Sequence, residues 1–254
     1  MASEVTSPTP PRSAEPAPAP LLDRLRSVTG MEEGQRRLVV VLGQLGDFDS
    51  LEYAQALAPM LPQLERAGIA TLVFALGNDA GAERFCRFTG FPRNRLVVDP
   101  DPTLHDALEL YPGLRLPVGP WPNLLLMCAG IGSPGTLKEV LRGYSGDRRA
   151  PQRIGHDEVI QASPLPPIRG SLFARAGGEG FQRPFELATV RLRNMGEVLS
   201  HWRTYVPRDD HLTQRGGTFL IDADNTLLHV HRDRGILGFS ETMHQPLDFL
   251  EPHL

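Results

Sequence analysis

Asp47, Asp49 and Ser50 place three oxygen-bearing side chains within four consecutive positions of the stretch "QLGDFDSLEYA". The stretch follows an apolar run, "RRLVVVLG", and opens a helical pattern, so it reads as strand, short glycine-bearing loop and helix N-terminus. A helix N-terminus stabilises negative charge and lowers the pKa of a thiol placed there. Thiol enzymes exploit that position, but here it offers only carboxylates and a hydroxyl. A carboxylate at such a place can act as general base or ligand anchor, or it can simply accept hydrogen bonds from the free N–H groups of the first turn. Asp47, Asp49 and Ser50 are all favoured capping residues, and no histidine or cysteine lies within several positions to assist them. A capped turn is the simpler expectation, and thiol chemistry at this position is excluded.

Other residues with chemical potential are scattered. Only two cysteines occur, Cys86 and Cys128, which rules out a disulfide-rich scaffold and a zinc site built from several thiolates. Cys86, in "ERFCRFTG", sits near the end of a helical pattern, where the dipole disfavours a thiolate, although Arg84 and Arg87 act in the opposite sense. It is the fallback nucleophile for a single-cysteine peroxidase, and a small core hydrophobe on the plainer reading. A Cys86–Cys128 disulfide would need close Cα atoms in an oxidising setting and is not expected. "FLIDADNTLL" fits the Asp-x-Asp-x-Thr motif of a phosphohydrolase, with Asp222 as nucleophile and Asp224 as acid/base. Only 28 residues follow Thr226, too few for the rest of such a site, and Asp-Asn is also an ordinary hairpin turn signal. His229 and His231 alternate with Leu228 and Val230 and share one side of a strand; with no third ligand in view, they read as solvent-facing polar positions, and no metal is expected. Lys138, after "AGIGSPG", falls at the wrong place for a phosphate-loop lysine. "RGYSGDRRAPQ" reads as an Arg–Asp network on the surface.

The elements that must position these residues alternate. Residues 1–20 contain six prolines and few large apolar side chains, so a disordered, partly polyproline-like tail is expected, followed by a short helix near 21–28. The folded part is expected to start near Gln35, giving a tail over 1–34 and a domain over 35–254. "RLVVVLG", "IATLVFALG" and "RLVVDP" read as buried strands. Between them Leu51, Ala54, Leu57, Leu61 and Leu64 mark one helix stripe, capped by Asp49 with Glu52, kinked at Pro59 and Pro62 and stopped at Gly68. "DAGAERFCRFTG" and "PTLHDALEL" read as short helices. This β-α-β-α-β order implies a parallel core with right-handed crossovers, and "GGTFLIDADNTLLHVHRD" adds a hairpin. A three-layer α/β sandwich with a mixed central sheet results, with a long insertion over about 113–213. Within it "PNLLLMCAGIGS" is helix or strand, Ser133 and Pro134 open a helix, and 150–183 is an irregular excursion. Leu187, Val190, Met195, Val198, Leu199 and Trp202 form one face of a long amphipathic helix. With 41% hydrophobic and 22% charged residues and a net charge of −4, nothing marks a nucleic-acid footprint, a membrane span or a secretory signal.

The segments "VVVLGQLGDFDSLEYAQAL", "LERAGIATLVFALG", "AERFCRFTGFP", "LVVDPDPTLHDAL", "GTLKEVLRGYSGD" and "RGGTFLIDADNTLLHVHRD" together resemble the peroxiredoxin-like branch of the AhpC/TSA group, over roughly residues 35–250 apart from 150–183. That resemblance implies a thioredoxin fold. Members with an intact motif carry Gly-Cys-x-x-Cys-Arg-x-x-Ala after the first core strand. Laid on this chain, Gly46 and Ala54 match, whereas Asp47 and Ser50 stand at the two cysteines and Leu51 at the arginine. The resemblance therefore implies a degenerate active site and a binding, assembly or redox-linked accessory role without a cofactor, in place of peroxide reduction. It puts the pocket at Gly46, Asp47, Asp49 and Ser50 facing Thr218, with a protein partner at that loop. Gly216 and Gly217 fall where thioredoxins present backbone to a substrate. A reducing compartment is implied, the cytoplasm or, in a plant or alga, the plastid stroma.

Overall fold

The structure, a computed structural model, describes residues 15–254. The proline-rich stretch before Glu15, for which a disordered tail is expected, lies outside the described residues. In chain order the elements are α1 (Ala19–Leu25), β1 (Arg36–Gln44), α2 (Phe48–Leu57), α3 (Leu61–Arg66), β2 (Ile69–Leu76), α4 (Asp79–Thr89), β3 (Leu96–Asp99) and α5 (Thr103–Ala107). Then come α6 (Pro120–Cys128), α7 (Thr136–Ser145), β4 (Val159–Ile160), β5 (Ile168–Arg169), α8 (Ser171–Gly177), α9 (Glu186–Ser200), α10 (Trp202–Tyr205), β6 (Gly217–Ile221) and β7 (Leu227–Arg232). Five strands make the central sheet in the order β3-β2-β1-β6-β7. β1 runs parallel to β2, and β2 to β3; β6 is antiparallel to both β1 and β7. Helices cover both faces of this mixed sheet, which is the three-layer α/β arrangement of a thioredoxin-like fold.

The apolar runs have a simple cause. β1 is buried from Arg37 to its end because both of its faces are covered. Leu38, Val40 and Leu42 pack with Leu51, Leu57 and Phe85 from the helices α2 and α4 on one face. Val39 and Val41 point the other way, into a cluster with Leu21, Leu25 and Leu104 from α1 and α5. The packed body thus begins before Gln35: α1 is part of the second layer, and Ala17 and Leu227 donate backbone hydrogen bonds to Asn225 and Glu15. The hairpin turns at Asp222–Thr226, where Asn225 takes a left-handed conformation.

Pro59 and Pro62 divide the expected helix into α2, a 3-10 turn at Ala58–Met60 and α3. The insertion differs more from expectation. "PNLLLMC" is helical, as α6. α7 starts at Thr136 after a left-handed Gly135, so Ser133 is not its cap; its hydroxyl accepts the Ile236 N–H instead (2.7 Å). Leu199 is exposed, and Trp202 belongs to the separate α10. The 150–183 stretch is not irregular throughout: β4, β5 and α8 close over a small core of Ile154, Ile160 and Phe173 with Val190. Its anchor is Arg183 paired with Glu186 at 2.9 Å, both fully buried. Glu186 also accepts N–H groups from Arg153 (2.7 Å) and Ile154 (2.6 Å).

Candidate functional site

β1 ends at Gln44 and α2 begins at Phe48, so three residues carry the chain from strand to helix. The turn is tight against its neighbours. A Cβ on Gly46 would stand 2.4 Å from Cγ2 of Val206, so only glycine lets the loop approach α10 this closely. Asp47 occupies the N-cap position, but its side chain makes no cap hydrogen bond. Nor does Asp49 cap the helix. Both carboxylates turn to Arg215, a residue that nothing in the local sequence marked. Its Nη1 donates to Asp49 Oδ2 at 3.0 Å and its Nη2 to Asp47 Oδ2. The guanidinium is almost fully buried, so each carboxylate there meets a full positive charge, where a cap would offer only the partial charge of backbone N–H groups.

Asp49 is 6% exposed, and its Oδ2 also accepts the Leu237 N–H at 2.6 Å while its Oδ1 has no hydrogen-bond partner. Burial, followed by the negative charge of Asp47, pushes the Asp49 carboxyl well above its usual range, against the pull of Arg215. Asp233 is raised as well, chiefly by burial. His231 lies 3.3 Å from Asp233, and this carboxylate with the Gly238 carbonyl raises the imidazole's pKa although burial opposes the charge. The result is a closed electrostatic cluster, with carboxylates outnumbering the single guanidinium among them. Ser50 is buried in the first turn of α2.

Thr218 does not face this loop. It sits in β6 opposite Val40, and its hydroxyl meets the Tyr53 hydroxyl at 2.7 Å, further along α2. Gly216 and Gly217 do not present free backbone either: Gly217 is paired in the ladder between Val41 and Arg232, and the Gly216 carbonyl accepts the Asp233 N–H. His229 stacks on Phe249 at 4.1 Å, so these strand histidines lie half-covered by the C-terminal segment and are not solvent-facing. Among the described residues no group of three or more His, Cys, Asp or Glu side chains is arranged to hold a metal ion. Asp222 and Asp224 serve the hairpin turn: Asp224 accepts the Thr226 N–H (3.0 Å) and hydroxyl (2.6 Å).

Both cysteines are free. Cys86 is 8% exposed among the core residues of α4, and burial pushes its thiol up to about 11. Cys128, at the end of α6, is exposed; partial burial and the nearby carboxylates of Asp47 and Asp49 raise its thiol. It borders an apolar groove of about 350 Å³ that Phe48 reaches from the tip of α2, with Val140, Tyr144, Phe185 and Met195 among its walls. The Arg–Asp network expected on the surface is mostly buried. Arg142 holds Glu139 (2.9 Å) and Asp147 (3.4 Å), while Arg191 ties Glu52 of α2 to the same group.

Residues 56–235 match the family described as AhpC/TSA antioxidant enzyme. The chain belongs to this family. The matched span takes in β2, β3, the whole insertion and the C-terminal hairpin, so the AhpC/TSA likeness extends through the parts of the sheet that frame Arg215. It begins beyond the Asp47–Ser50 turn. A search of curated proteins finds no relative of significant similarity. No helix among the described residues is long and apolar enough to cross a membrane.

Proposed function

We propose that this AhpC/TSA member has given up peroxide reduction and serves as a binding or redox-linked accessory protein. The observation that carries this reading is the fate of Asp47. At the helix tip where the resemblance sets a thiolate, its carboxylate is committed to Arg215. Peroxide reduction needs a thiolate to attack the O–O bond and a sulfenate for a second thiol to resolve, and neither Asp47 nor Ser50 can supply them. Cys86 is a poor substitute, since a buried thiol titrating near 11 carries little thiolate at neutral pH. Hydrogen peroxide consumption with dithiothreitol as reductant tests the point. The expected rate is that of the reagents alone, unchanged in Cys86→Ser and Cys128→Ser. Turnover that disappears when either cysteine is removed overturns the reading.

The binding role draws support from the surface beside the loop. Gly46, Asp49 and Ser50 are buried, so a partner at this place meets Phe48 and the groove. Leu137, Leu141 and Tyr144 lie exposed along α7 at positions i, i+4 and i+7, and Trp121, Leu125 and Cys128 repeat that spacing on α6. Leu125 and Leu141 are each 66% exposed. Cys128, Tyr144, Leu165 and Phe185 line the groove itself, while Trp121, Leu125, Leu137 and Leu141 are further exposed apolar side chains of the same two helices. The partner that fits is another protein chain with an apolar face. A photo-crosslinker on Cys128 should yield one defined adduct, lost in a variant with Tyr144→Glu on the groove wall at unchanged melting temperature. The same adduct from Tyr144→Glu rejects the groove.

A further inference from the structure

A cleft of about 520 Å³ lies away from the loop. It is bounded by α2 and the 3-10 turn after it, by Pro151–Ile160, by α9 and by the C-terminal segment from Met243. Met60, Ile160, Val190 and Leu247 give it an apolar wall. Three arginines line it, and they differ in a way that matters. Arg142 is committed to Glu139, Asp147 and Gln182. The side chains of Arg153 and Arg193 make no hydrogen bond and no ion pair among the described residues; the Arg193 guanidinium lies over the Phe88 ring at 5.7 Å, a contact that uses none of its donors, and its buried Nε has no acceptor.

The carboxylates around the cleft do not fill this gap. Glu52 is taken by Arg191 at 2.8 Å, Glu158 accepts the Gly155 N–H at 3.0 Å, and Asp248 accepts the Thr242 hydroxyl at 2.7 Å. Glu251 is exposed at the rim. Burial lowers the pKa of Arg193; the charge of Glu158 opposes this and that of Arg153 adds to it, so the two guanidiniums stand close enough to repel. Glu158 and Glu52 act on these cations only at a distance, and half-buried guanidiniums placed side by side without a hydrogen-bonded partner are costly, because burial without pairing forfeits hydration. A guanidinium also presents the planar donor fork that suits a carboxylate or phosphate.

We propose that this cleft binds a small organic anion, whose carboxylate or phosphate monoester head lies on Arg153 and Arg193 and whose apolar body lies against Met60, Ile160, Val190 and Leu247. Its volume is that of an ordinary small-ligand site. Nothing in this assignment depends on the proposed loss of peroxidase chemistry. Calorimetric titration with sodium octanoate, octyl phosphate and inorganic phosphate tests it. Octanoate or octyl phosphate should bind the wild type, and at least tenfold more weakly in the Arg153→Gln/Arg193→Gln double variant. Arg193→Lys should fall between, since an ammonium keeps the charge and loses the fork. Equal affinity in the double variant, no binding of either amphiphile, or inorganic phosphate binding as tightly as octyl phosphate would each overturn the proposal.

Discussion

At the scale of single residues, Arg215 governs the site. It holds together two carboxylates that would otherwise face each other at the start of α2, and truncating it leaves both buried and unpaired. Arg215→Ala should cost about 3–5 kcal/mol of unfolding free energy in urea titrations, the usual penalty for breaking a buried pair from one side. Asp49 predicts a pH dependence of definite sign. Folding raises its pKa, so the folded state holds the proton more tightly than the unfolded chain does. Its contribution is therefore most favourable below the unfolded value of about 3.9 and is lost as pH rises from there through the raised folded value. Asp49→Asn removes that dependence, and stability measured against pH should fall less steeply above about pH 4 than in the wild type. An unchanged slope would place the proton elsewhere. The two aspartates were legible in the sequence as helix-start residues, yet their work was not, because Arg215 lies 166 positions from Asp49 and no local spacing announces it.

Elements show the same division between what short-range patterns reveal and what distant partners decide. Strands buried on both faces announce themselves as uninterrupted apolar runs, and Pro59 and Pro62 mark the break between α2 and α3 without ambiguity. The 150–183 stretch gave no such sign. Its strands are two residues long, and its order rests on Arg183 and Glu186, a pair whose burial no local pattern marks. Glu186→Gln leaves the Arg183 guanidinium buried without its counter-ion. It should destabilise by about 3–5 kcal/mol, and early proteolytic cuts should concentrate between 150 and 183. Cuts spread evenly over the chain would deny the pair its local role. Ser133 failed as a helix cap for a related reason: its hydroxyl is taken by Ile236, more than a hundred residues away.

For the whole molecule, the central sheet is what residue order predicted best, since alternation of strand and helix dictates a layered body. The N-terminal limit of that body was missed because α1 is short and follows a proline-rich stretch, although Leu21 and Leu25 complete the second face of the sheet. Leu21→Ala should lower stability by about 2–5 kcal/mol in denaturant titrations, as for any large aliphatic removed from a closed core. A loss below about 0.5 kcal/mol, as at an exposed surface position, would detach α1 from the body.

The contrast between the two cysteines has a practical consequence. With one sulfur sealed in the core and the other exposed beside the groove, the unmodified chain already carries a single addressable attachment point. An environment-sensitive fluorophore coupled there in native buffer would change colour when something enters that groove, reporting occupancy in real time with no engineered handle.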